Sequence, residues 1–356
     1  MEGPFARFDG HEQVVYGSDD ASGLRCIIAI HSTRLGPGLG GTRFYAYPSE
    51  DEALTDVLRL SRAMTYKAAC AGLSLGGGKA VIIGDPVQLR SEALLRAYGR
   101  IVESLGGRYI TACDVGTTPA DMEVVQRETT WATGADRAHG GSGDSGVMTA
   151  YGVYRGMQSA ATAVFGTDVL EGRHVAVQGL GKVGARLVQH LVDDGAKVTA
   201  TDISEAAIDR VADLPGVEIV DPNDILLADA DILSPNALGA VLDEHTIPQL
   251  EVRIVCGGAN NQLAADEHAA LLYERGILYA PDYVVNAGGL INVTQELHPA
   301  GYSEERARVQ VEAIPATLTR IIEVSRDEQV STEIAAERVA ERRIAAVSGL
   351  RGFWLP

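Results

Sequence analysis

The sequence predicts a two-domain α/β protein, and three observations carry that prediction. Short apolar strands alternate with amphipathic helices along nearly the whole chain. A glycine loop, Gly179-Leu180-Gly181-Lys182-Val183-Gly184, sits between one such strand and one such helix. The length, 356 residues, exceeds what a single core commonly serves.

The N-terminal half opens with strands over 13–16 and 24–31, joined by a turn at 20–23 that makes them a hairpin. Gly36-Pro37-Gly38-Leu39-Gly40-Gly41 is too rich in glycine for an element interior and reads as a shaped loop. Ser49-x-x-Glu52 has the pattern of a capping box and opens a helix whose apolar positions Ala53, Leu54, Val57, Leu58 and Met64 recur at helical spacing. Gly72 is placed to end it. A buried strand over 80–83, a helix over 91–105 stopped by Gly106-Gly107, and a strand over 109–112 give a β-α-β rhythm and a partly parallel sheet.

Lys79 closes the run Gly76-Gly77-Gly78 directly before the strand at 80–83. Glycines let the backbone pack closely around a lysine and strip its water, and Lys67 offers a second positive charge nearby. A lysine held this way can exchange protons with a reacting carbonyl or amine. Asp114 follows the 109–112 strand. The two residues fall at opposite ends of their strands and would converge if those strands ran antiparallel.

The second half begins with a helix over 147–164. A strand over 175–178 leads through the glycine loop into a helix ending near 194, and a strand over 197–201 ends at Asp202. Further strands are expected near 217–220, 231–234, 253–256 and 277–279, then helices over 303–325 and 331–346. In this setting the glycine loop predicts a Rossmann site. Gly179 allows the turn, Gly181 lets a pyrophosphate approach the backbone, and Gly184 lets helix and strand pack closely. The helix N-terminus supplies unpaired N–H groups for phosphate. Asp202, 23 positions past Gly179, would accept from the adenine ribose hydroxyls and repel a 2′-phosphate, so NAD is expected over NADP. A structural turn with an incidental aspartate is the competing reading.

Composition narrows the function. Apolar residues make up 46% and charged residues 22%, as in globular chains. A formal charge of −18 without any Lys/Arg block argues against nucleic acid and anionic membrane partners. Cys26, Cys70, Cys113 and Cys256 lie far apart without metal-ligand spacing, so no metal site is expected and reduced thiols in a cytoplasm fit best. Neither a secretory leader nor an apolar run of membrane-spanning length is read.

The chain resembles the glutamate/leucine/phenylalanine/valine dehydrogenases, most of all the actinobacterial-type valine or leucine enzymes. The resemblance runs through Leu35-Gly36-Pro37-Gly38-Leu39-Gly40-Gly41-Thr42-Arg43, Gly76-Gly77-Gly78-Lys79 and Thr111-Ala112-Cys113-Asp114-Val115-Gly116-Thr117. It continues through the 179–184 loop, Gly258-Ala259-Asn260-Asn261-Gln262-Leu263 and Ala280-Pro281-Asp282-Tyr283-Val284-Val285-Asn286-Ala287-Gly288-Gly289. It implies reversible oxidative deamination of an L-amino acid to a 2-oxo acid and ammonia with NAD, in a homo-oligomer. It also implies two domains flanking a cleft: a substrate and oligomerisation domain over 1–133, completed by 329–356, and a Rossmann domain over 134–328.

By the same resemblance, Lys67 would bind the substrate carboxylate, Lys79 would hydrogen-bond the carbonyl or attacking water, and Asp114 would shuttle protons to and from the amino group. Gly40, Gly41 and Met64 would shape the substrate site, and Asn261 would contact the carboxylate. Thr149, Asn260 and Asn286 would hold the nicotinamide and its ribose, with Lys182 and Val183 in the phosphate loop. Backbone capping in turns is the alternative for the asparagines, and a helix-dipole partner the alternative for Lys67.

The side-chain pocket implied by the family is lined by Leu39, Ala112, Leu290 and Val293, all apolar. A glutamate side chain would be buried there without a partner, so glutamate is disfavoured. Leu290 stands where leucine dehydrogenases usually carry valine, and the added methylene should penalise long side chains by about 1–3 kcal/mol. Valine is therefore expected over phenylalanine. Two departures stand out: Cys113 where leucine dehydrogenases commonly carry glutamate, read as a valine-type feature, and Asn236 in place of a usual cysteine near the cofactor. A leucine or broad branched-chain enzyme is the nearest rival, and a non-catalytic NAD sensor a rival of another class.

Overall fold

The computed structural model describes residues 7–348 apart from residue 9. Its chain divides into two units, one comprising Met1–Gly143, Val293–Glu304 and Ala340–Pro356, the other Asp144–Asn292 and Glu305–Val339. The first domain was expected at 1–133 with 329–356. In the structure the break falls ten residues later, and the segment 293–304 also joins the first unit.

In the first unit β1 (Gln13–Asp19) and β2 (Leu24–Ser32) form the expected antiparallel hairpin. β3 (Gly38–Tyr45) follows, so the glycine-rich segment is a strand from Gly38 onward rather than a loop. Helix α1 (Glu50–Cys70) begins at Ser49, whose hydroxyl accepts from the Glu52 N–H, and Gly72 follows its C-cap with φ +73°. β4 (Gly76–Ile83) includes all three glycines and Lys79. Next come α2 (Pro86–Leu89), α3 (Glu92–Ser104), β5 (Tyr109–Cys113) and α4 (Pro119–Val125).

The strand order is β1-β2-β4-β3-β5. β3 runs parallel to both β4 and β5, so the strands bearing Lys79 and leading to Asp114 share one direction, not opposite ones. Ala53, Leu54, Val57 and Leu58 of α1 cover one face against Ile27, Ala29, Val81 and Ile83. Leu94, Leu95, Tyr98 and Met122 cover the other against Ile28, Ile30, Phe44 and Ile82. The alternation along β2 and β4 sends successive residues to opposite helices.

The second unit begins with α5 (Gly146–Phe165) and then winds β6 (His174–Gln178), α6 (Gly184–Asp193), β7 (Lys197–Thr201), α7 (Glu205–Ile208), β8 (Val217–Ile219), β9 (Ile232–Pro235), β10 (Ile254–Val255), α8 (His268–Glu274) and β11 (Leu278–Tyr279). The strand order is β11-β10-β9-β6-β7-β8, with every neighbouring pair parallel. That is the doubly wound dinucleotide-binding order, with the strand direction of travel reversing between β6 and β9. Every strand expected in this half is present.

The remaining helices are α9 (Asp282–Val285), α10 (Gly288–Thr294), α11 (Glu304–Val311), α12 (Ile314–Glu328) and α13 (Thr332–Ser348). The single helix expected over 303–325 is broken before α12, where Pro315 sits in its first turn. Proline lacks the N–H that a continuous helix would need there. From Ala340 onward α13 belongs to the first unit, where the Arg343 guanidinium donates to the Ala68, Ala69 and Leu73 carbonyls at the end of α1. Among the described residues no helix is long and apolar enough to cross a membrane.

Candidate active site

Lys79 and Asp114 meet across β3, the strand that lies between β4 and β5 in the first sheet. Thr42 pairs with Ala80 on one side and Cys113 on the other, which puts Lys79 one step before that row and Asp114 one step after it. Positions two residues apart along parallel strands share a face, so both side chains project toward the α1 side. Gly41, on β3 between them, carries no side chain to obstruct the crossing. The Lys79 ammonium donates to Asp114 Oδ2. The sequence reading paired Lys79 with a second cation; the structure pairs it with an anion.

The pair is dry and braced. The side chains of Lys79 and Asp114 are 8% and 17% exposed. Asp114 Oδ1 accepts from the Val115 N–H at 2.6 Å, and the Asp114 N–H donates to Thr117 Oγ1 at 2.9 Å. Arg43 Nε stands 3.5 Å from Oδ2. Burial alone would raise the Asp114 carboxyl, but the Lys79 ammonium and then the Arg43 guanidinium outweigh it and hold the group below the usual carboxylate range. A carboxylate kept ionised in a dry site, beside an ammonium, can take and return a proton during a reaction.

The glycines explain how α1 comes so close. A Cβ on Gly77 would lie 2.2 Å from Thr65 N, and one on Gly40 would lie 1.8 Å from the Gly78 carbonyl and 3.4 Å from Met64 Cγ. Met64 and Lys67, one turn apart on α1, are both half-buried. Leu39 and Ala112 are 2% and 7% exposed. Val293 is half-buried and also falls in the first unit; Leu290, 9% exposed, and Asn261 belong to the second.

In the second unit the glycine loop has the form its sequence predicts. Gly179 has φ +93°, and a Cβ on it would lie 2.7 Å from Ala237 N. A Cβ on Gly184 would lie 1.8 Å from the Gly179 carbonyl, whereas Gly181 faces open space. Val183, the N-cap of α6, makes no side-chain cap; the Ala185 N–H bonds the Gly181 carbonyl at 3.2 Å, and the Gly184 N–H before it keeps its hydrogen-bonding capacity. Asp202 Oδ2 accepts from the Leu180 N–H at 2.6 Å and Oδ1 from the Ser204 N–H at 2.9 Å. Each carboxylate oxygen has a further lone pair for a hydroxyl. Lys182 lies in the turn before α6. Space at Gly181, an uncapped N–H group and a fixed acceptor at Asp202 are what a dinucleotide requires.

The asparagines knit the strand ends together. Asn236 Oδ1 accepts from the Gly258 N–H at 2.9 Å, while its Nδ2 donates to the Ser234 carbonyl and hydroxyl. Asn286 Nδ2 donates to Asn260 Oδ1 at 2.8 Å and to the Gly258 carbonyl at 3.2 Å. A Cβ on Gly258 would press on Val183 Cγ1 at 2.7 Å, which ties this network to the glycine loop. Thr149 bonds the Ser145 carbonyl at 2.9 Å, and its hydroxyl would lie 2.6 Å from a Cβ on Gly289. Asn261 is exposed, with φ +53°.

Three residues escaped the sequence reading. Arg43 lies two positions past Gly41 on the same strand face, a relation hidden once that segment is taken as a loop. Glu296 accepts from the Gly134 and Ser142 N–H groups at 2.9 and 2.7 Å. Glu333, beside Asp282, Glu337 and Asp266, is pushed up to about 8 by burial and then by those carboxylates. Arg43 closes the glycine-rich motif without its role being marked there, Glu296 and Glu333 sit in no motif, and each acts with a partner remote in the chain.

Known proteins share this architecture. Residues 11–131 match the Glu/Leu/Phe/Val dehydrogenase dimerisation domain, and residues 140–214 and 201–352 match the Glutamate/Leucine/Phenylalanine/Valine dehydrogenase family. A leucine dehydrogenase of Bacillus cereus is 51% identical over 345 residues, covering 97% of this chain and 94% of its own. A valine dehydrogenase of Streptomyces virginiae is 52% identical over 339 residues, 94% of each. The crystal structure of L-tryptophan dehydrogenase from Nostoc punctiforme superposes with a TM-score of 0.85 at 44% identity, covering 96% of this chain and 98% of that one. With both units matched in order over nearly their full length, the chain belongs to the Glutamate/Leucine/Phenylalanine/Valine dehydrogenase family.

Proposed function

We propose that the protein is an NAD-dependent dehydrogenase that reversibly deaminates branched-chain L-amino acids, valine foremost, to the 2-oxo acid and ammonia. The observation that carries this reading is the dry Lys79–Asp114 pair, set over Gly41 in a chain related at about half its positions to leucine and valine dehydrogenases. Bound along the 179–184 loop with its ribose at Asp202, NAD would supply the two-electron acceptor.

The chain's own residues do the rest. Lys67 receives the substrate carboxylate, which needs a cation when water is excluded. Lys79 hydrogen-bonds the forming carbonyl or the attacking water, and Asp114 takes the amino proton and returns it. Thr149, Asn260 and Asn286 position the nicotinamide end. Asn236 acts through the Gly258 turn it holds. Asn261 adds a contact to the substrate carboxylate.

Valine preference rests on Leu290, which the family's pattern assigns to the side-chain pocket together with Leu39, Ala112 and Val293, all apolar. A leucine dehydrogenase is the second reading, favoured by a relative of that name at 51% identity against 52% for the valine enzyme. The dimerisation-domain match supports a homo-oligomer built through the first unit.

NADH formation at alkaline pH across a panel of L-amino acids, with NADP in parallel, tests the reading. Valine should give the highest kcat/KM, phenylalanine less and glutamate none. A higher value for leucine moves the assignment to the second reading, and no NADH with any amino acid removes it. Lys79→Ala and Asp114→Ala should each lose turnover by several powers of ten while still binding NAD.

A further inference from the structure

Asp114 has two cations beside it, and only one is spoken for by the chemistry. On the reading above, Lys79 must hydrogen-bond the reacting carbonyl or water. The ammonium has three N–H donors, but a substrate oxygen that takes one of them draws part of its charge away from Asp114. A buried carboxylate that loses its counter-charge tends to take up a proton, and a protonated Asp114 could not accept one from the substrate.

Arg43 is placed to prevent this. It stands on β3, where it shares the α1-side face with Gly41. Its Nη1 bonds Asp56 Oδ2 at 2.9 Å, and the same oxygen accepts from Tyr47 Oη at 2.7 Å. Arg59 Nη2 lies 3.7 Å from the other oxygen of Asp56, so that anchor is itself held from two sides. Arg43 Nε lies 3.5 Å from Asp114 Oδ2. This distance is too long for a hydrogen bond, and the buried Nε has no hydrogen-bond partner among the described residues. A buried N–H without an acceptor, 3.5 Å from an oxygen now engaged by Lys79, needs only a small shift to close a bond. The guanidinium stays charged at any working pH.

We propose that Arg43 is a positioning residue for Asp114, closing onto its carboxylate and keeping it ionised and aimed while Lys79 turns to the substrate. The groups facing Asp114 are Lys79 from β4, Arg43 from β3 and the Val115 N–H, with Asp56 acting through Arg43. Arg43 touches Asp114 and not the reacting atoms.

The test compares pH profiles of wild type, Arg43→Gln and Arg43→Lys. In Arg43→Gln the acid limb of kcat/KM should move up by about one pH unit or more. Its kcat should fall about tenfold or more, with KM within about threefold and the Kd for NAD unchanged. Arg43→Lys should lie between the two, because it keeps the charge and loses the fork. A limb for Arg43→Gln that coincides with wild type overturns the proposal. So does an equal loss in both variants at every pH, which is what a merely structural role would give. Infrared titration of the Asp114 carboxyl, identified by its disappearance in Asp114→Asn, reads the same displacement without turnover. If the wild type deaminates nothing, the functional reading fails, and the infrared comparison still decides whether Arg43 holds Asp114 ionised.

Discussion

A Cβ on Gly41 would stand 2.8 Å from the Cβ of Asp114 and 2.5 Å from the Cys113 carbonyl. The absence of a side chain at Gly41 is therefore what lets Asp114 approach Lys79 across β3. The Cys113 carbonyl is held by β5, so relief would have to come from Asp114, just past the end of that strand. Gly41→Ala should lower kcat by about a hundredfold or more, since displacements of an ångström at a reacting group have that effect. NADH fluorescence should report an unaltered Kd, because the change lies in the first unit. A variant with near-normal kcat would show that the close approach is dispensable.

Asp202 has two tasks that one substitution separates. Its oxygens already hold the Leu180 and Ser204 N–H groups, and a ribose would add to these. Asp202→Asn keeps an acceptor for one N–H and removes the charge that would repel a 2′-phosphate. The Kd for NAD should rise about tenfold while that for NADP rises less or falls. Isothermal titration with both nucleotides measures the ratio, and a ratio equal to wild type would count against the assignment.

Leu290 offers a volume change in the expected pocket. Leu290→Val removes one methylene, worth about 0.8 kcal/mol in an apolar site. The kcat/KM ratio of leucine to valine should increase about threefold to tenfold. Steady-state kinetics with both substrates check this, and an unchanged ratio would place Leu290 outside the pocket.

Glu333 supplies a pH signature in the second unit. Burial first, then Asp282, Glu337 and Asp266, push its carboxyl up to about 8. The sign follows from proton uptake: between an unfolded value near 4.5 and about 8, the folded chain holds a proton that the unfolded chain has released. Stability from this group is complete below the lower value and is lost as pH climbs through the upper one. Glu333→Gln should flatten that decline and gain up to about 4 kcal/mol by pH 8.5. Denaturant melts at pH 5, 7 and 8.5 measure it; parallel curves for the two proteins would refute the burial argument.

The second unit was almost fully legible in the sequence. Parallel strands buried on both faces read as short apolar runs, and the glycine loop marks where the first of them ends. The first unit was legible in its helices and hairpin but not in β3. There glycine, which ordinarily weakens a strand, is required because Gly78 of β4 crowds Gly40, and Cys113 and Asp114 crowd Gly41, more tightly than any Cβ allows. Misreading β3 as a loop also hid Arg43 and left the direction of the Lys79 and Asp114 strands open. Lys79 and Asp114 themselves were found through their motifs. The Glu296 and Arg343 contacts could not be, since nothing local records a carboxylate or guanidinium meeting backbone more than 150 residues away.

The Arg343 contact bears on how the molecule is made. The Ala68 and Ala69 carbonyls in the last turn of the helix that carries Lys67, and the Leu73 carbonyl just beyond it, receive their donor from a residue 270–275 positions downstream. On the ribosome, a chain synthesised only as far as the end of its first sheet lacks that donor. The turn holding Lys67 thus gains its last fastening only after the whole nucleotide-binding sheet has emerged.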